Sequence, residues 1–267
     1  MFGGIPYYNR LIDGKKSVRE NIIDLIASLG ARLENEVSMY LNSEISKITN
    51  VNEVFEALAK GFSRYKDILD QSHVSSGPAL VDVLDKLMRM DVVDKITPIN
   101  DENNRKKSGY FISDNLSLFY YKYIFRNSSR MNIMDSDIFY DRYIAEDFET
   151  KYVPKVFEDV CRQYLIRRNR KGLMDEIFEK IGKYYYDYPV AKKNGEFDIV
   201  TQDDKGYIFY EAKFRKEPVT EQMIREEICQ VEQTGLECYK YGFFSRSGFA
   251  CEGADNCKLI ELRELYK

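Results

Sequence analysis

Histidine is almost absent from this 267-residue chain: His73 is the only one. With a single imidazole, neither a Ser-His-Asp nor a Cys-His centre is expected, nor a zinc site. His73 lies in a polar loop and reads as a surface residue. The five cysteines, Cys161, Cys229, Cys238, Cys251 and Cys257, are odd in number and contain no Cys-x-x-Cys, so free thiols are expected rather than a disulfide framework. No apolar run approaches the roughly 20 residues that span a bilayer, and no signal peptide is visible, so a cytoplasmic location without membrane contact is expected. No G-x-x-x-x-G-K-[ST] occurs, so no Walker A loop is there to cradle a phosphate. An excess of positive charge is missing too. The net charge is −4, with 19 basic and 23 acidic residues up to position 150 and 21 of each after it, so there is no global pull toward nucleic acid. Internal repeats and low-complexity tracts are also lacking.

The informative stretch is residues 195–214, which reads as two strands joined by a polar turn. Asp198 lies on the first strand, Glu211 and Lys213 on the second. Alternation points Glu211 and Lys213 the same way and Ala212 the other. The second strand is apolar on both faces, through Tyr207 and Phe209 on one and Ile208, Tyr210, Ala212 and Phe214 on the other. A doubly buried strand seldom carries a carboxylate and an ammonium without cause. Two carboxylates at neighbouring strand ends can hold a hard divalent cation. A nearby lysine can orient water or stabilise developing negative charge. The competing reading is an ordinary hairpin with a surface Asp and a Glu–Lys pair.

Asp on one strand followed by Glu-x-Lys on the next resembles the PD-(D/E)xK nuclease superfamily. That resemblance implies Asp198 and Glu211 as ligands of Mg²⁺ or Mn²⁺ and Lys213 as the residue that positions the nucleophilic water. The superfamily usually adds a glutamate on a preceding helix. Residues 154–168 have apolar positions at helical spacing, Pro154 suits a first turn, and Glu158 flanks the apolar stripe. Glu158 therefore matches the supporting glutamate, against its plain reading as a solvated helix flank. A helix over 219–234 and a strand and turn over 239–249 complete the order helix, strand, strand, helix, strand.

The N-terminal part predicts a helix over 51–60 ended by Gly61, a second from a Ser63 cap through Leu69, and a third from Ser75 or Ser76 through Met90. A strand over 92–97, a charged loop over 99–108 and a returning strand over 109–113 follow. Three helices and a hairpin describe a winged helix-turn-helix. Nine basic and ten acidic residues over 48–113 give it no basic recognition helix, and only Arg105, Lys106 and Lys107 cluster. DNA binding and protein docking stay equally open for this module. Residues 114–126 read as an aromatic helix capped by Asp114, packing between domains, and 127–150 as a polar connector.

Taken together, Gly-Gly-Ile-Pro-Tyr-Tyr at 3–8, the stretch 51–97, Tyr-Phe-Ile-Ser-Asp-Asn-Leu-Ser-Leu-Phe-Tyr at 110–120, the two strands at 196–214 and Phe-Phe-Ser-Arg-Ser-Gly-Phe at 243–249 resemble the C-terminal half of the archaeal-type AAA-like ATPases. The resemblance implies four parts: 1–47 as a remnant of the ATPase lid with connecting helices, 48–126 as winged helix and trailing aromatic helix, 127–150 as connector, and 151–267 as nuclease-like domain. It implies an α/β (overall α+β) chain with a restriction-endonuclease-like core on a mixed sheet. Lacking a Walker A loop, the chain would hold no ATPase site. An ATPase domain in the parent protein and nucleic acid are the implied partners. The expected chemistry is metal-dependent phosphodiester cleavage at Glu158, Asp198, Glu211 and Lys213. The alternative is a non-catalytic interaction or regulatory module on a nuclease fold.

Overall fold

Burial of amphipathic faces divides the chain into two units. The computed structural model describes residues 1–45, 50–102, 104, 107–188 and 193–267. One unit comprises Met1–Ile96 with Ser108–Asp147, the other Thr97–Lys107 with Phe148–Lys267.

The first unit opens with α1 (Pro6–Leu11), α2 (Val18–Leu25) and α3 (Glu36–Ile45). Helix α2 begins with a capping box in which Ser17 and Glu20 satisfy each other's backbone N–H. The boundary placed at 47/48 falls outside the described residues. Then come α4 (Val51–Ala59), α5 (Tyr65–Ser72), α6 (Gly77–Arg89) and the antiparallel pair β1 (Val93–Ile96) and β2 (Gly109–Ile112). Three helices and a hairpin thus follow in the predicted order. Helix α6 buries Leu80, Val83, Leu84 and Leu87, and Ser76 accepts from Ala79 N–H at its start. Ser63 is no cap. Its carbonyl accepts from Tyr110 N–H at 2.8 Å, tying the chain before α5 to β2.

The aromatic segment departs from a single α-helix. It starts as α7 (Asn115–Phe119), with Asp114 accepting from Ser117 N–H at 2.7 Å, then widens to a π turn at Tyr120–Ile124 and tightens to 3₁₀ at Phe125–Asn127. The wider turn lets Tyr120, Tyr121, Tyr123 and Ile124 all be buried. Within this unit Tyr121 stacks on Phe55 of α4 at 4.6 Å and donates to Asn52 at 2.6 Å. The expected connector is likewise structured. It holds α8 (Ser128–Met131), α9 (Ser136–Tyr143) and α10 (Ala145–Asp147), because Met131, Phe139 and Tyr140 give it a buried face that its polar composition hides.

The second unit is built on a mixed five-stranded sheet. A π turn at Phe148–Tyr152 leads into α11 (Val153–Arg170). The strands are β3 (Lys180–Tyr188), β4 (Lys193–Asp203), β5 (Gly206–Lys213), β6 (Cys238–Ser245) and β7 (Cys257–Glu261), in that spatial order, with α12 (Glu221–Gln233) between β5 and β6. Strands β3, β4 and β5 are antiparallel neighbours, and β5, β6 and β7 are parallel. Helix α11 packs Phe157, Cys161, Tyr164 and Leu165 against Ile199, Ile208, Tyr210 and Phe244. Helix α12 covers the other face, with Ile224 and Val231 against Val200, Phe209 and Phe243.

The charged loop predicted as a wing belongs to this unit. Ile99 N–H donates to Lys183 O at 2.8 Å, and Asn100 bonds reciprocally with the backbone of Tyr185. Glu102 pairs with Lys180 at 2.8 Å. Of the expected basic cluster, Arg105 and Lys106 lie outside the described residues. Lys107 pairs with Asp101 at 3.0 Å and sits 4.2 Å over the Tyr185 ring, a local role that explains its charge.

Candidate active site

A β-bulge aims Asp198. Gly182 pairs with Val200, but Tyr184 pairs with Phe197, so β4 carries one residue more than β3 at this point. Side-chain alternation resets there. Phe197 and Val200 both join the cluster under α12, while Ile199 joins the cluster under α11. Asp198 is thereby carried to the α11 side, where it meets Lys155. Bulges next to functional sites often re-aim a side chain in this way.

Four ammonium–carboxylate contacts surround it. Lys155 Nζ lies 2.6 Å from Glu158 Oε2 and 3.1 Å from Asp198 Oδ1. Lys183 Nζ lies 2.8 Å from the same Asp198 oxygen and 2.5 Å from Glu196 Oε1. Two carboxylates from different elements, Glu158 on α11 and Asp198 on β4, therefore share one cation. Burial is the largest influence on Asp198 and would push its carboxyl up, but Lys183 and Lys155 together outweigh it and hold it below the usual range. Glu158 goes the other way: burial first, then the charge of Asp198, raises it against the pull of Lys155.

Glu211 and Lys213 form the adjoining half. They alternate with Tyr210 and Ala212 of the α11 cluster and so turn toward α12. Lys213 Nζ lies 2.9 Å from Glu211 Oε1 and 2.5 Å from Glu227 Oε1 on α12. Burial raises the Glu211 carboxyl despite Lys213, with like charges on Glu227 and Glu158 adding to it. Burial lowers the Lys213 ammonium, but Glu211 and Glu227 more than reverse that. The last antiparallel pair between the strands is Ile199–Tyr210, one residue short of both Asp198 and Glu211.

All four residues expected from the sequence thus lie at one end of the sheet, but in two linked sets. The sequence assigns the metal to Asp198 and Glu211, whereas Asp198 shares its cation with Glu158. Among the described residues, no three His, Cys, Asp or Glu side chains gather as a ready-made metal cage. Mg²⁺ does not need one, since it keeps several waters and is commonly held by one or two carboxylates. Glu158 and Asp198 fit it in kind, being hard oxygen donors already converged on a single cation. Lys155, Lys183, Glu196 and Glu227 were missed from the sequence. Lys155 had a visible signal, three residues before Glu158 on one helix face. Lys183 had none, because its strand is not evident from pattern.

Among the described residues no helix is long and apolar enough to cross a membrane. Residues 120–228, which contain every member of the charged cluster, match the family DUF234, described as archaeal and bacterial proteins of unknown function. An uncharacterized protein of Methanocaldococcus jannaschii is 26% identical over 270 residues, covering 98% of this chain and 58% of that protein. A MarR family regulator from Neisseria meningitidis aligns with 53% of this chain and 96% of its own at 15% identity, with a TM-score of 0.25. The chain is thus similar to archaeal and bacterial proteins without an assigned activity, and spans 58% of the length of the curated relative it matches.

Proposed function

We propose that the sheet of the second unit is a restriction-endonuclease-like core whose charged end cleaves phosphodiesters with Mg²⁺ or Mn²⁺. The observation that carries this reading is the single ammonium shared by Glu158 and Asp198, at 2.6 and 3.1 Å, beside the Glu211–Lys213 pair on the next strand. A cluster of half-buried ions costs desolvation that apolar residues would avoid, and perturbed carboxyls gather preferentially at functional sites. Glu158 and Asp198 would hold the cation. When bound, the cation would polarise the phosphodiester and acidify its water. Glu211, with its carboxyl raised chiefly by burial, is suited to accept a proton from the attacking water. Lys213 would orient that water and offset negative charge on the phosphoryl oxygens. Helices α4–α6 with β1 and β2 would be a winged helix that helps to seat nucleic acid or a protein partner. The greater length of the archaeal relative leaves room for the ATPase domain that the sequence resemblance implies. Both partners belong to this proposal.

One observation favours a second reading, a non-catalytic interaction module. Each carboxylate of the cluster already has a lysine contact, with three ammonium groups shared among five carboxylates, so every one is partnered without any ligand. A panel of single-stranded, duplex, supercoiled and branched DNA and RNA, with Mg²⁺ or Mn²⁺ and with or without the longer parent protein, separates the two. Cleavage is expected from the wild type, with Asp198→Ala and Glu211→Ala inactive. Lys213→Ala should lose cleavage while keeping metal binding. No cleavage anywhere on the panel, or full activity in Lys213→Ala, leaves the interaction module.

A further inference from the structure

Lys155 differs from the other lysines of the cluster in what it would lose. Lys183 and Lys213 each keep a carboxylate outside the proposed cation pair, Glu196 and Glu227 respectively. Both partners of Lys155 are the two carboxylates that converge on the cation position. Its side chain is also 54% exposed, against 21% for Lys183 and 24% for Lys213, so it can leave toward solvent without uncovering core. Its position near the start of α11 is fixed by Pro154 and by the burial of Phe157, which directs the long stem over Asp198.

We propose that Lys155 is the resident cation of the site, occupying the position of a divalent metal ion and competing with it. This rests on the functional reading above. In the metal-free protein the ammonium holds Glu158 and Asp198 together and offsets their mutual repulsion. On metal entry it must leave, because the metal ion and the ammonium would occupy the same position between the Glu158 and Asp198 carboxylates. Lys183 keeps its contact with Glu196 and remains to anchor Asp198. The released ammonium swings to the solvent side of the site, where an incoming phosphate is an available counter-charge. Metal occupancy is thereby linked to substrate: an anion that takes up Lys155 favours the metal-bound arrangement.

Calorimetry with Mn²⁺ on the full chain tests this, with Lys155→Met, Asp198→Ala and Lys180→Met beside the wild type. Lys180 lies on β3 and pairs with Glu102, so its substitution controls for the general loss of one positive charge. Lys155→Met should bind Mn²⁺ about tenfold more tightly than wild type, roughly the effect of removing two half-exposed ion pairs. Lys180→Met should change the affinity by less than about twofold. Thermal melting gives an independent readout: without metal Lys155→Met should melt below the wild type, and saturating Mn²⁺ should raise its midpoint more. Equal or weaker Mn²⁺ binding by Lys155→Met, with normal binding by the wild type, overturns the competition and leaves the metal site standing. No Mn²⁺ binding by either protein overturns both. Binding that survives in Asp198→Ala shows that the metal sits elsewhere and also refutes the role given to Lys155.

Discussion

Asp198 and Glu211 carry the same kind of group in opposite electrostatic states, and pH separates them. The Asp198 carboxyl is depressed in the folded protein, so the folded state releases its proton more readily than the unfolded chain. Its stabilising contribution is complete above the unfolded value, about pH 3.9, and is lost as pH falls through the lower folded value. Asp198→Asn should therefore melt below the wild type at pH 5–8, with the gap closing below about pH 4. Glu211 is raised, chiefly by burial, so its ionisation opposes folding. That cost is absent below the unfolded value, near pH 4.3, and appears as pH rises through the higher folded value. Glu211→Gln should match the wild type near pH 4 and melt above it at pH 7–8. Midpoints across pH check both, and parallel curves for the two variants would refute the assignment of opposite shifts. Half of this was legible beforehand. Asp-then-Glu-x-Lys marks the positions, but no pattern tells which carboxyl the lysines reach, because that depends on a bulge.

The elements of the sheet show why reading stops where it does. Strands β4 and β5 are legible because apolar residues fill both faces of β5 and Asp203, Asp204, Lys205 and Gly206 mark the turn, with Gly206 at φ +134°. Strand β3 is not, because its three consecutive tyrosines, Tyr184–Tyr186, stay partly exposed and give no clean alternation. Strand β7 is five residues long, with only Ile260 fully buried, too short for a period to be counted. The π turn at Tyr120–Ile124 escapes because a segment this dense in aromatics, broken only by Lys122 and Ile124, suits several helical pitches. Gly242 on β6 is likewise explained only by its neighbour, since the Tyr210 ring lies where its Cβ would be. Tyr210 is 4% exposed and packed near Phe244, so it has nowhere to retreat. Gly242→Ala should cost about 1–3 kcal/mol through overpacking, seen as a lower urea midpoint with an unchanged slope. An unchanged midpoint would mean that β5 and β6 can shift apart.

Across the whole chain, a net charge of −4 means that nucleic-acid binding must come from a local patch. Helix α11 offers one. Its 18 residues run about 27 Å from Lys155 and Glu158 at the cluster to a basic end at Arg167, Arg168, Arg170 and Lys171. Arg168 is committed, donating to Leu173 O at 2.8 Å and lying over the Tyr164 ring. Arg167, Arg170 and Lys171 are exposed. Under the nuclease reading they would hold backbone phosphates a few nucleotides from the point of cleavage. Replacing all three by Gln should weaken binding to every sequence alike and lower the slope of log affinity against log salt by about 2 to 3, as three released counterions require. Mn²⁺ affinity at the cluster should stay as in the wild type, since the patch lies two to three helical turns or more from Glu158. The helix itself should lose only a few tenths of a kcal/mol, because cations near its C-terminus complement the dipole weakly at an exposed end. Filter binding across salt concentrations measures the slope. An unchanged slope in the triple variant would place the nucleic-acid path elsewhere, and a slope near zero in the wild type would favour the interaction module over the nuclease.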